Sequence, residues 1–362
     1  MTRLIATATL ALSLLAAGAL PVAAEDAEAI ATLGPPPETA ARELHIHGST
    51  DVAPFHPILE RFSTLNPDLF IRYEQRGTND IYEKAAAACD ENRASADLLI
   101  SSSIDQQVKL VNDGCAQPHV SAGTAAVPDW AKWRNEVFGL TRELAVIVYN
   151  RDLVPEADVP ASRFDLIALL RRPGGRYAGK IATYDIERSG LGYLFAFADS
   201  QAATTFGRLI EAFGRNNVVA TCCSAEIIDG VAEGRYLIAY NLLGSYALAR
   251  SWSDPRIGIV PPSDYTLVVS RAALVPLHAR NPDAARQLID YMLSAEGRML
   301  FSASGLIVDS ANHPAVDNGA SAALPSVLRP IPYSPALLVG LDKLKKEQFF
   351  AAWRSGIQGP LP

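Results

Sequence analysis

From Glu43 onward the chain alternates short strand-like apolar runs with longer segments whose apolar residues recur every three or four positions. That alternation constrains its fold more than any other feature. Glu43 to His47 reads as a strand; after Gly48-Ser49-Thr50-Asp51, the positions Val52, Phe55, Leu59 and Phe62 mark one helix face. Leu69 to Gln75 alternates like a strand, Asp80 to Cys89 reads as a helix, and Asp97 to Ser101 as a buried strand. The rhythm continues through Leu144 to Tyr149 (strand), Phe164 to Arg171 (helix), Lys180 to Thr183 (strand), Thr204 to Phe213 (helix) and Tyr236 to Tyr240 (strand). Ile257 to Val260 and Tyr265 to Val269 are further apolar runs, followed by helices at Pro282 to Leu293, Ser294 to Ser302 and, after a Pro- and Ala-rich stretch from Asn312 to Pro335, Ala336 to Trp353. Strands separated by helices pair through crossovers, so the predicted class is α/β, with open sheets covered by helices on both faces.

The start of the chain has a different character. Arg3 is its only charge before an apolar run from Leu4 to Leu20, and Pro21-Val22-Ala23-Ala24 places small residues where a signal peptidase cuts. Met1 to Ala24 is therefore expected to be a cleavable export signal, with an uncleaved membrane anchor as the alternative. No Cys follows the run to carry a lipid. Glu25 to Arg42, with Pro35-Pro36-Pro37, is expected to be a mobile leader. About 338 residues then remain, long for one core and enough for two.

Loss of Arg3 leaves one fewer than the 32 Lys and Arg against 39 Asp and Glu, a net charge of about −8 with neutral His. A nucleic-acid partner needs a basic face, and the densest basic run, Lys343-Leu344-Lys345-Lys346, reads as a solvated helix face. In an oxidising compartment Cys89, Cys115, Cys222 and Cys223 can form disulfides. A Cys89–Cys115 bridge fits; the adjacent Cys222-Cys223 has three options: a strained ring, two thiols or a bridge elsewhere. Cys and His spacings match no zinc motif, and no cofactor is predicted. His45 and His47 share a strand face with His56 just beyond, but no carboxylate or Cys accompanies them at metal-ligand spacing.

Ligands of open α/β sheets gather where strands lead into helix N-termini. Small polar residues stand at several such points: Ser49 and Thr50, Ser101-Ser102-Ser103, and Ser189-Gly190. Their position suits an anion, because free N–H groups and the positive end of the helix dipole converge there. One such site is an ordinary N-cap. Three from both halves of the chain suggest a cleft that receives an anionic or strongly polar solute.

With these segments in place, the sequence resembles the periplasmic solute-binding proteins of ABC importers, in the group that contains ferric-ion-binding, phosphoglycerate and sugar-phosphate binding proteins. The resemblance spans roughly Leu44 to Ile357. It is carried by Leu44-His45-Ile46-His47-Gly48-Ser49-Thr50, Ala96-Asp97-Leu98-Leu99-Ile100-Ser101-Ser102, and Val137-Phe138-Gly139-Leu140 leading into Ala145-Val146-Ile147-Val148-Tyr149-Asn150. Tyr184-Asp185-Ile186-Glu187-Arg188-Ser189-Gly190, Tyr265-Thr266-Leu267-Val268-Val269-Ser270 and Leu293-Ser294-Ala295-Glu296-Gly297 add to it.

The resemblance implies a two-lobed type II periplasmic binding protein, hinged where the chain crosses near Thr141 to Tyr149 and returns near Ile259 to Thr266. Residues 43–141 plus 262–311 would form lobe 1, and 142–261 plus 312–362 lobe 2 with the C-terminal helix. It also implies a small-molecule ligand and an importer permease as partner, or a sensor kinase. Ferric-binding members carry adjacent tyrosines after the strand matching Tyr236 to Tyr240; here the chain reads Ala239-Tyr240-Asn241-Leu242-Leu243-Gly244-Ser245-Tyr246, without that pair.

Arg142 is the first choice to compensate an anion, ahead of Arg188 and then Arg76; a pair with Glu143 is its alternative role. Tyr184, Asp185, Tyr240, Asn241, Tyr246 and Tyr265 are candidate ligand contacts, with buried structural tyrosines the competing reading. An exported enzyme is disfavoured: neither Gly-x-Ser-x-Gly nor His-Glu-x-x-His occurs.

Overall fold

The computed structural model describes residues 27–202, 204–307 and 326–357. The expected export signal, and most of the stretch from Asn312 to Pro335, lie outside them. The chain runs β1 (Ala29–Leu33), β2 (Arg42–Gly48), α1 (Val52–Leu65), β3 (Leu69–Gln75), α2 (Thr78–Asp90), β4 (Leu98–Ser101), α3 (Ile104–Asn112) and β5 (Ala116–Gln117). It continues with α4 (Ala122–Ala126), β6 (Lys132–Trp133), β7 (Val137–Gly139), β8 (Glu143–Asn150), α5 (Arg163–Leu170), β9 (Ile181–Tyr184), α6 (Gly190–Ala202) and α7 (Phe206–Arg215). Then come β10 (Val219–Thr221), α8 (Ser224–Ala232), β11 (Ile238–Leu243), α9 (Gly244–Ser253), β12 (Ile257–Val260), β13 (Thr266–Val269) and β14 (Ala272–Pro276). Finally α10 (Pro282–Leu293), α11 (Ala295–Ala303), β15 (Leu328–Pro330), α12 (Leu338–Leu341) and α13 (Lys343–Ile357) close the chain.

Two sheets organise these elements into two lobes. Among the described residues, the first has the order β1-β3-β2-β4-β14-β7-β6 with β5 on β14, and the second β10-β9-β11-β8-β13-β15 with β12 on β8. In lobe 1, β2 pairs in parallel with β3 and β4, as strands joined through helices must. In lobe 2, β9 pairs in parallel with β10 and β11.

The leader is corrected in part. Ala29–Leu33 forms an edge strand antiparallel to β3, with Ala29 opposite Gln75 and Leu33 opposite Ile71. Its exposed and half-buried residues alternate, which suits a strand with one face on α1. The return crossing is corrected as well. β13 still pairs with β8 in lobe 2 while β14 pairs with β4 and β7 in lobe 1, so the chain crosses back at Ser270–Arg271, not at Ile259 to Thr266. The outward crossing lies at Leu140–Arg142, and Tyr149 sits far along β8. The expected single terminal helix is broken at Asp342, whose carboxylate accepts the Lys345 N–H at 3.0 Å and so starts α13 afresh.

The crossings are stitched together: the Leu140 N–H donates to the Arg271 carbonyl at 2.8 Å, and the Thr141 N–H to Ser270 Oγ at 3.2 Å. Gly139 permits this approach, since a Cβ there would lie 2.4 Å from Ser270 Oγ. A third link follows β15, where the Tyr333 N–H donates to the Trp130 carbonyl and its hydroxyl to the Ser270 carbonyl. Each lobe has its own apolar core, around Phe55, Ile71 and Leu288 in lobe 1 and Ile147, Leu209 and Phe213 in lobe 2. A third core, including Val137, Leu144, Val268 and Ile331, runs through the hinge and joins them. Cys89 and Cys115 are bonded to each other within lobe 1, as are Cys222 and Cys223 at the start of α8.

Candidate functional site

A cavity of about 150 Å³ lies between the lobes. Lobe 1 lines it with Ser49, Asp51, Gln75, Arg76, Thr78 and Ser102, and lobe 2 with Tyr184, Arg188, Ser189, Cys222, Cys223, Ser224 and Tyr246. Glu28, just ahead of β1, also reaches it. The lobes touch around this space: the Gly190 N–H donates to Thr78 Oγ1 at 2.9 Å, Asn79 Nδ2 to the Glu187 and Arg188 carbonyls at 3.1 Å, and Tyr246 Oη to Asp51 at 3.0 Å.

Strand ends deliver helix starts to the cavity. Helices α1, α2, α8 and α9 begin there, and none has its first turn capped by the side chain of its N-cap residue, whereas α6, which also begins there, has its Gly192 N–H accepted by Ser189 Oγ at 3.0 Å. Of the helices that begin elsewhere, α4, α5 and α11 are capped in that way by Ser121, Ser162 and Ser294, and α7 and α10 are not. Some cleft donors find other partners: the Val52 N–H meets Gln75 Oε1 and the Ser102 N–H meets Ser49 Oγ, both at 3.0 Å. The first turns of α2 and α8 thus face the cavity from opposite lobes without a cap from Gly77 or Cys223. Unpaired N–H groups at a helix start, with the positive end of the dipole, favour an anion.

The charged side chains modulate this. Arg76 is held by Glu74 at 2.6 Å and Asp80 at 2.7 Å, so lobe 1 balances much of its charge. Burial raises the Glu74 carboxyl, but hydrogen bonds from Arg72 and Arg76 outweigh it and hold the group down at about 2. Burial, then Arg76, pushes the adjoining His47 down to about 4. Arg188 is exposed at the rim. Tyr184, pushed up to about 12 by burial, stays a neutral phenol, 2.5 Å from Ser224 Oγ.

Of the residues singled out in the sequence, Ser49, Ser102, Tyr184, Arg188 and Ser189 share this lining with Arg76 and Tyr246. Thr50, Ser101 and Gly190 stand immediately behind it: Thr50 Oγ1 accepts from Arg271 Nη1, Ser101 Oγ accepts from the Ser103 N–H, and Gly190 is the inter-lobe donor. Asp185 turns away from the lining to accept the Glu187 N–H. Three expected contacts lie elsewhere. Tyr240, Asn241 and Tyr265 all donate to the buried carboxylate of Asp199, which Arg163 also meets at 3.1 Å. A buried carboxylate needs these partners, which draws the three side chains into the interior of lobe 2.

Arg142 is also off the lining; its backbone bridges to Ile307. Glu143, its partner in the alternative role, pairs instead with Arg271, at 2.8 and 3.1 Å, with both side chains fully buried. Thr141 Oγ1 and Ser245 Oγ donate to the same carboxylate, tying the hinge to both lobes. Sequence reasoning passed over Arg271, Asp51, Thr78 and Ser224. Thr78 opens α2 two residues before the expected start at Asp80, and Ser224 opens α8, a helix the sequence reading did not place; Arg271 is separated from Glu143 by most of lobe 2.

The profile of the bacterial extracellular solute-binding proteins matches residues 48–299. The chain belongs to that family. Among solved structures, this solute-binding protein is similar to the substrate-binding protein of an ABC transporter from Agrobacterium tumefaciens, at 36% identity over 91% of this chain and 98% of that one, with a TM-score of 0.84. It also shares its fold with AfuA of Actinobacillus pleuropneumoniae, solved with fructose-6-phosphate, at 17% identity over 88% and 99% of the two chains and a TM-score of 0.68. Iron-bound HitA of Pseudomonas aeruginosa is a further match, at 17% identity over 87% and 99% and a TM-score of 0.66. No curated protein sequence matches the chain. By family, then, the chain is an extracellular solute-binding protein.

A larger groove of about 900 Å³ lies between α7 and α13, lined by Phe206, Ile210, Phe349 and Trp353 among others. It draws on lobe 2 alone, so lobe closure would not enclose a solute there. The smaller inter-lobe cavity is the better candidate.

Proposed function

We propose that this solute-binding protein captures a small organic anion, a phosphorylated or carboxylated metabolite, in the inter-lobe cleft and delivers it to the permease of its ABC importer. The working site is the periplasm, reached through cleavage of the export signal after Ala24. The observation that carries the reading is that the first turns of α2 and α8, one from each lobe and neither capped by its N-cap side chain, both line the cavity. An anion accepting from both donor sets bridges the lobes, so it binds the closed form more tightly and shifts the hinge equilibrium toward it. Ser49, Ser102, Ser189 and Ser224 add hydroxyl donors, and Arg188 supplies a rim cation. Delivery requires no covalent step.

Calorimetric titration of the mature protein with sugar phosphates, phosphoglycerates, di- and tricarboxylates and inorganic phosphate tests this. One-site binding is expected. Arg188→Gln should weaken it roughly tenfold, the scale of a lost charge-assisted hydrogen bond, while Arg142→Gln should leave it within about twofold. Absence of binding across the panel, or an equal loss in both variants, would overturn the reading.

A further inference from the structure

Cys222 and Cys223 are bonded to each other, half-buried, and both line the cleft. A bridge between neighbours in sequence closes no loop worth stabilising, so chain entropy gives it no role in the fold. Cys89–Cys115, which ties the end of α2 to the residue before β5, has that structural role. The adjacent pair is instead fixed where a solute would sit. Thr221, the last residue of β10, holds its turn by accepting the Asp185 N–H at 2.8 Å, and Cys223 is the N-cap residue of α8.

We propose that the Cys222–Cys223 disulfide is a ligand-contacting wall of the cleft, offering a polarizable, apolar sulfur face to the carbon body of the bound anion. This rests on the anionic reading above. An anionic group on the first turn of α8 lies beside its N-cap, and a cavity of about 150 Å³ leaves no room to stand clear of the sulfurs. Most of the remaining lining is hydroxyl, carboxylate or guanidinium, so the sulfurs join Leu191 and Leu243 as the surface on which apolar atoms shed water. An inorganic anion would use the helix starts but not this wall. The site therefore selects organic anions.

The test compares the oxidised protein with the Cys222→Ser/Cys223→Ser variant, titrated with fructose 6-phosphate, 3-phosphoglycerate and inorganic phosphate. Affinity for at least one organic probe is expected to fall roughly tenfold in the variant, equivalent to ~1.4 kcal/mol, with inorganic phosphate changed less than about twofold. Reduction with dithiothreitol should act in the same direction and reoxidation should reverse it: the S–S bond takes up two electrons to become two thiols while the reagent closes to its cyclic disulfide. Unchanged organic affinity would overturn the inference while leaving the anionic reading intact. An equal loss for inorganic phosphate would also overturn it, showing that the bridge acts only by holding the start of α8. If none of the three probes binds the oxidised protein, the inference is overturned for phosphorylated anions, and the di- and tricarboxylates of the wider panel decide whether the anionic reading stands.

Discussion

Glu143 and Arg271 show how much one buried pair can organise. The Arg271 guanidinium meets both carboxylate oxygens of Glu143 and also Thr50 Oγ1, so the group behind the cleft floor is fixed to the strands that cross the hinge. Removing one partner of such a pair strands the other charge away from water, which costs more than the pair itself contributes. Glu143→Gln is expected to lower unfolding stability by about 3 kcal/mol in urea titrations, and Glu143→Gln/Arg271→Met to lower it less than that single change. A single-variant loss under about 1 kcal/mol would instead place the pair with solvent-exposed ones. Neither residue is marked in sequence: a Glu opening a strand and an Arg between two apolar runs resemble surface charges until the crossings bring them together.

Among elements, the C-terminal segment acts as a strap. β15 pairs with β13 in lobe 2, α12 packs on α3 in lobe 1, and α13 returns to lie on α7. In the first turn of α3, within the electrostatic reach of Lys346 on the strap, Asp105 is buried and hydrogen-bonded by Ser103 Oγ at 2.8 Å. Burial pushes its carboxyl up to about 6, against the opposing influence of Ser103 and, more weakly, of Lys346 on α13. A group raised above its unfolded value of about 4 binds more protons in the folded state, so its contribution is greatest at low pH and declines as pH rises from about 4 through 6. Asp105→Asn is therefore expected to flatten the stability profile across that window, by up to roughly 3 kcal/mol, read from urea midpoints at each pH. An unchanged slope would show that Asp105 stays hydrated. The periodicity of α13 was legible in its sequence, but its break from α12 at Asp342 was not, because one capping carboxylate is a weak signal in a helix-forming run.

For the whole molecule, the decisive contact is the one between lobes at Gly190. A Cβ there would lie 2.7 Å from Ser103 Oγ and 2.8 Å from both Asn79 Oδ1 and Gln106 Nε2, all on lobe 1. A larger side chain at this position obstructs closure without entering either core. Gly190→Val is expected to enlarge the radius of gyration in small-angle scattering, with the thermal midpoint little changed. An identical scattering profile would mean that the lobes approach without this contact. In the proposed cycle, hinge motion of this kind lets a bridging solute select one state over the other.

Periodic apolar spacing determined the α/β class, the order of most elements and the placing of small polar residues at helix starts, because these are properties of neighbours along the chain. Ser49, Ser102, Tyr184, Arg188 and Ser189 were legible for that reason: each stands at or near the end of a strand. Tertiary structure decided which of them meet. It turned Tyr240, Asn241 and Tyr265 inward to Asp199, set Arg142 aside, drew β1 and Glu28 from the leader onto the first sheet, and moved the return crossing to Ser270–Arg271. Those outcomes depend on satisfying buried charge and on sheet pairing between residues far apart in sequence, and local patterning carries no record of either.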